Sequence, residues 1–404
     1  MTFIQNFLSS FRRLNSTDRT VSSKSNRSFL WLDRLKAIGI VGIILNHVVE
    51  WMSTAPYFSN PVQNWGLVSD RVTQVMTPLS GYGWADFPLT VIRNAGWLGE
   101  QGVQLFLIAS GFGLTWSLLQ RNGEKSSQSW LLFYQRRLWK LYPLWWFVHG
   151  LFLIISLLLK KGMALNQPQF YFSLLGLRVT PETFYYFSPS WWFIGLLIQL
   201  YLIFPLLYRG LQRWGAMPLL LGTSTIALTI RGIGLYLIGD PYLELWSRGN
   251  IFITRLPEFV LGMVVAAWFH HAPEVTERWF RSPKSWSIGL VLYALGMVGA
   301  FTLWGMSVSP FLLGAGLLMV LYPLLNQPWM DQIDRLGLRW VGQHSYGLFL
   351  VHHPVLMRCI PQNTVSVRSF MGIILSVIVM VSLTLFIEWG VQFLGQKWDA
   401  SQRV

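Results

Sequence analysis

What most constrains this chain is a run of apolar residues, close to the length of a bilayer crossing, that returns again and again. Ten such runs occupy 37–52, 97–119, 141–159, 191–208, 217–239, 251–269, 286–304, 309–325, 341–357 and 370–394. A hydrocarbon core about 30 Å thick is crossed by about 20 helical residues. Every backbone N–H and C=O inside it needs an internal partner, which a helix supplies within one segment. The spacing predicts an all-α polytopic membrane protein with about ten transmembrane helices, its membrane domain covering 29–395. Charged residues agree, since they make up 12% of the 404 residues, half of the roughly 25% typical of a soluble domain.

The net charge of +14 has a topological origin. If the helices alternate from a cytoplasmic N-terminus, 21 of the 31 Lys and Arg fall on inner segments and eight on outer ones. Arg231 and Arg255 fall within helices. That bias is the positive-inside pattern, and it predicts both termini in the cytoplasm. A nucleic-acid surface would need a basic face on a folded soluble domain, so no nucleic-acid partner is expected. The expected surroundings are the lipid bilayer of a cell (inner or plasma) membrane. The lone Cys359 excludes an intramolecular disulfide and offers no metal cluster.

Residues 1–28 read as a cytoplasmic arm without a cleavable signal. Phe3, Ile4, Phe7, Leu8, Phe11 and Leu14 recur at helical spacing beside Arg12 and Arg13, which suits a helix lying on the inner surface. The Ser, Thr and Asn of 15–28 suit an unstructured arm equally well. Residues 396–404 read as a short tail. The outer loop 53–96 holds Trp65, Tyr82 and Trp84, which favours a folded cap, and 160–190 is rich in aromatics. Such rings populate the interfacial belt or stack on sugars, with the belt the commoner use.

Within the first run, Lys36 and His47 lie eleven positions apart, almost three helical turns, so both project from nearly one face about 16 Å apart along the axis. Asp33 and Glu50 extend that stripe. Ionisable groups at membrane depth are costly and mark functional sites. A carboxylate beside a histidine fixes its tautomer and stabilises its charged form, the usual setting for a general base. The candidate catalytic set is His47, Lys36 and Glu50.

RRLWKLYPLWW places Arg136, Arg137 and Lys140 at the inner end of the third run. They are candidates for gripping phosphates, although spacing alone favours anchoring to anionic lipid. Arg255 and Glu258 sit three apart in RLPEFVLG and read as a self-neutralising pair, with Pro257 freeing backbone groups between them. Arg231 has no obvious local partner and is a candidate anion site. Ser110 and Gln104 in GVQLFLIASGFG sit among small residues that allow close helix packing. His344, His352 and His353 lack HExxH or cysteine-based spacing, so no metal is expected.

Taken in order, LDRLKAIGIVGIILNH, GVQLFLIASGF, RRLWKLYPLWW, WWFIGLLIQLYLIFPLL, RLPEFVLG and VGQHSYGLFLVHHPV resemble the ordered motifs of the acyltransferase-3 family of multipass membrane O-acyltransferases. The resemblance covers roughly 29–395. It implies a catalytic role for His47 with Lys36 at the family's basic position, and it matches Arg137 to the first arginine of a basic RxxR motif. Lys140 replaces the second arginine, and Leu197 stands where many members carry a glutamate, so no role for that acid transfers. The extra C-terminal hydrolase-like domain of some relatives is not expected.

The implied activity moves an acyl group, acetyl by expectation, from cytoplasmic acyl-CoA to a hydroxyl of an envelope glycan or lipid-linked glycan. Arg137, Lys140 and Arg136 would bind the CoA phosphates. Acyl-CoA is then a donor substrate, and no permanently bound cofactor is expected. The alternative is a transporter or exporter of an anionic solute, with Arg231, the Arg255–Glu258 pair and His47 lining a pathway.

Overall fold

A computed structural model describes residues 30–52, 95–122, 130–239, 245–362 and 367–401. The expectations for the 1–28 arm and for Trp65, Tyr82 and Trp84 lie outside the described residues. Among those described there is no strand, and ten helices of fifteen residues or more follow one another. They are α1 (Leu30–Met52), α2 (Gly102–Asn122), α3 (Trp130–Leu158), α4 (Trp192–Trp214) and α5 (Ala216–Ile233), then α6 (Leu256–His271), α7 (Pro283–Gly299), α8 (Leu303–Leu325), α9 (Ser345–Cys359) and α10 (Val367–Ser401). Each predicted apolar run falls on one of them. Eight helical stretches are long and apolar enough to cross a membrane. The other two, α7 with 17 residues and α9 with 15, fall short of a full crossing. The chain is an all-α polytopic membrane protein.

Small residues set how closely the helices approach. A Cβ on Gly111 of α2 would run into the Phe259 carbonyl, and one on Gly262 of α6 into that of Ile108. These two helices therefore meet backbone to backbone, as small residues permit in lipid. Ser110 sits half-buried beside this crossing, consistent with the packing role read from its neighbours.

Two polar anchors align α1 with α9. Near the start of α1, buried Arg34 donates to Asp331 and Asp334 at 2.6 Å and to the Leu325 carbonyl at 2.6 Å. Close by, Gly342 lies against the Asp33 carbonyl with no room for a side chain. At the other end, the Trp51 indole donates to the Ile360 carbonyl at 2.8 Å. The two helices thus run side by side in the same direction, which brings the second half of α1 against His352 and His353.

Proline shapes α9 where this matters. Pro354 has no N–H to give the carbonyl four residues back, that of Leu350. Trp191 fills the gap, its indole donating to Leu350 at 2.9 Å. Trp191 is itself held by Arg178, whose guanidinium lies 5.4 Å from its ring and donates to the Phe184 and Tyr186 carbonyls. Burial pushes that guanidinium down from the ordinary arginine value to about 9, so it stays charged at neutral pH and keeps its grip. The 160–190 segment, read from sequence as an aromatic belt, here also braces α9.

Candidate active site

His47 lies five residues from the end of α1, later along the helix than Lys36 by almost three turns. Its side chain is 18% exposed, and its Nδ1 lies 2.9 Å from Glu50 Oε2. Spacing alone explains that contact, because residues three apart share a helical face. With Nδ1 held by the carboxylate, the Nδ1–H tautomer is favoured and Nε2 keeps its lone pair.

This pair faces a cleft also lined by Glu100, Gln104, Arg248 and Arg255. Gln104 had been assigned to packing, but its buried Oε1 has no hydrogen-bond partner and the residue lines this cleft. Asn46, next to the histidine, donates to the Gly96 and Trp97 carbonyls at 3.3 and 3.4 Å. It ties the entry to α2 against α1 and fixes the wall beside His47. Behind the cleft, the His353 ring centroid is 4.3 Å from that of His47 and the His352 centroid 5.3 Å.

The four-residue stripe of α1 separates into two pairs. Lys36 Nζ meets Asp33 Oδ1 at 2.7 Å, with both side chains about a quarter exposed. Lys36 does not line the cleft that holds His47. The structure keeps the two apart along the helix, each with its own carboxylate partner.

The basic triad of α3 lies at the Lys36 end, where Tyr346, just past His344, donates to the Leu141 carbonyl at 2.9 Å. Arg137 donates to Ser117 Oγ at 2.9 Å and lies over the Phe133 ring at 5.8 Å. Lys140 is exposed, and Arg136 is half-buried. At the same end His344 Nδ1 is paired with Glu388, a second histidine–carboxylate contact that sequence did not connect.

Two expectations need correction. Arg231 is not an unpartnered cation. It is buried, donates to Glu258 Oε1 at 3.1 Å and to the Ser307 carbonyl at 2.6 Å, and caps the Thr254 carbonyl from its Nε at 2.8 Å. Its partner sits 27 residues away on α6, beyond the reach of local spacing. Arg255 keeps the expected i,i+3 ion pair with Glu258, at 3.7 Å, and also lines the cleft. Pro257 frees no group in mid-helix, because α6 starts at Leu256 after a 3-10 turn and the proline occupies the first turn, where it is tolerated. Of the residues named for a transport pathway, His47 and Arg255 line this cleft, whereas Arg231 and Glu258 are not among its lining.

A family model for acyltransferase domains matches residues 29–389. The chain belongs to the acyltransferase-3 family. A curated relative, the peptidoglycan O-acetyltransferase OatA of Listeria monocytogenes, is 26% identical over 308 residues, 66% of this chain and 47% of the relative. The chain thus spans about half of that protein's length. No solved structure matches. Leu197, at the position of the glutamate carried by many members, is buried and apolar here. Two residues farther on, Gln199 bonds the Asn250 carbonyl at 3.0 Å and the Phe252 N–H at 3.1 Å. This stretch of α4 holds the turn before α6 and presents no acid.

Proposed function

We propose that the protein is a membrane O-acyltransferase that moves an acyl group, acetyl in the first instance, from acyl-CoA to a hydroxyl of an envelope glycan. Membership of the family and the name of the peptidoglycan-acting relative support the class of reaction. The observation that carries the assignment to residues is the His47–Glu50 contact facing a cleft. In this reading both termini lie in the cytoplasm, which the distribution of Lys and Arg supports.

In this reading CoA binds at the Lys36 end by its phosphates, held by Arg137, Lys140 and Arg136. Its pantetheine arm runs between the helices toward His47, about 16 Å farther along α1. His47 Nε2 takes the proton of the acceptor hydroxyl while that oxygen attacks the thioester carbonyl carbon. The C–S bond breaks, and the proton passes from the imidazolium to the departing CoA thiolate. Glu50 orients the ring and stabilises its charged form. The acceptor reaches the cleft from the opposite side of the membrane.

The test is transfer from labelled acetyl-CoA to a soluble glycan fragment by the purified protein in detergent. General acid–base catalysis contributes about 10²–10⁴-fold, so His47→Ala should lose activity on that scale while its melting temperature is kept. A folded His47→Ala protein with full activity would refute the assignment. Label retained on the protein before acceptor is added would replace the base by an acyl-histidine carrier.

A further inference from the structure

The cluster behind the cleft contains more than a base needs. One ring nitrogen from each of His47, His352 and His353 lies within 4.8 Å of the others. His352 is fully buried and His353 is 6% exposed. His352 Nδ1 sits 2.7 Å from the Phe349 carbonyl, an acceptor only, so Nδ1 carries the hydrogen and Nε2 the lone pair. That Nε2 is buried without a hydrogen-bond partner, and so is His353 Nδ1. Buried, unpaired imidazole nitrogens are costly unless something occupies the space between them.

The surrounding contacts have the form that metal-binding histidines take. Ligating imidazoles donate their other N–H to a carboxylate or a backbone carbonyl. His47 does so with Glu50 and His352 with Phe349. We propose that His47, His352 and His353 form a three-histidine site for a divalent transition-metal cation of the zinc type, open toward the cleft at a fourth position. Zn–N bonds of about 2.0–2.1 Å put tetrahedral ligand atoms about 3.4 Å apart, so the nitrogens close on an ion by shifts of about an ångström. Imidazole ligands select zinc, cobalt, nickel or copper over magnesium and calcium. Sequence spacing concealed the site because its ligands come from two helices separated by some 300 positions.

The site draws on the same His47 Nε2 that the proposed mechanism uses as base. A bound cation takes that lone pair, so occupancy and proton transfer exclude one another and zinc inhibits the enzyme. This consequence rests on the base assignment above, whereas binding itself does not.

Cobalt(II) tests binding by its visible absorption in tetrahedral nitrogen sites. The chain is purified without a polyhistidine tag, stripped with chelator and titrated with cobalt, then zinc. One cobalt per chain, displaced by zinc and untouched by magnesium, is expected. His353→Asn and His352→Asn should each weaken binding at least tenfold, and His270→Asn with His271→Asn should leave it unchanged. Absence of stoichiometric binding, or equal binding by the His352→Asn/His353→Asn protein, overturns the site. In the acetyl-transfer assay zinc should inhibit the unmodified protein with the same concentration dependence as it displaces cobalt. Full transfer with the site occupied overturns the exclusion and, with it, His47 as base, while the cation site stands.

Discussion

At one end of α1, Lys36 and Asp33 share a pair about a quarter exposed, with the arginines and Lys140 of α3 at the same end. Toward the other end, His47 meets Glu50 in a cleft and backs onto two buried histidines. The first end offers charge that is partly exposed, and at Lys140 exposed, which binds by attraction and is screened by salt. The second offers imidazoles placed by packing, which act by position. The proposed acyl transfer across a bilayer would use that division, with capture of a polyanionic donor on one side and proton transfer on the other.

The buried Arg231–Glu258 pair adjoins the cleft through Arg255 without lining it, and the division into two ends depends on keeping it out of the site. Removing one partner of a buried ion pair costs about 3–5 kcal/mol, so Glu258→Ala should give the largest loss of stability among these variants. Thermal unfolding in detergent would show it, and Arg231→Met/Glu258→Met should recover most of the loss. If Glu258→Ala keeps its melting temperature but loses transfer, the pair belongs to the chemistry and the division fails.

At the histidine end, Glu50→Gln should lower turnover roughly tenfold to a hundredfold, a share of the effect of general base catalysis. If the donor phosphates bind at the other end, as proposed, the KM for acetyl-CoA should stay unchanged. A raised donor KM would mean that the cleft itself holds the donor.

At the basic end the signature is reversed. Arg137→Ala should raise the KM for acetyl-CoA about tenfold or more, in keeping with the roughly 1.5–3 kcal/mol of a hydrogen bond to a charged group, with kcat much less affected. The donor KM should also rise with ionic strength, as screening shortens the reach of exposed charges to about 8 Å at physiological salt.

How much of this was legible follows from the range over which each contact acts. Apolar runs and their helices were legible because bilayer crossing is a local property of about 20 residues. The His47–Glu50 contact was legible because three positions share one helical face. Arg231 was misread because Glu258 approaches it from the next helix. His353 was noticed but left unconnected, since only the parallel course of α1 and α9, set by Arg34 and Trp51, carries it to His47. Trp191 as the donor that replaces the missing Pro354 N–H could have been sought from the proline alone, but its identity comes from the tertiary structure.

The smallest expected effect falls on Lys36, and it bears most directly on the comparison. The family resemblance pairs this residue with the histidine, yet the structure gives it to Asp33 and leaves it outside the cleft. Exposed ion pairs contribute about 0–1 kcal/mol, so Lys36→Gln should barely move the melting temperature. If the lysine only adds to the positive field that draws in CoA, Lys36→Gln should raise the donor KM about two- to threefold and flatten its salt dependence, in keeping with a modest change in an exposed, screened charge. A loss of kcat as large as that of His47→Ala would instead place Lys36 at the thioester in the transition state. The chemistry would then sit midway along α1, and the separation into a capturing end and a reacting end would give way to one continuous site.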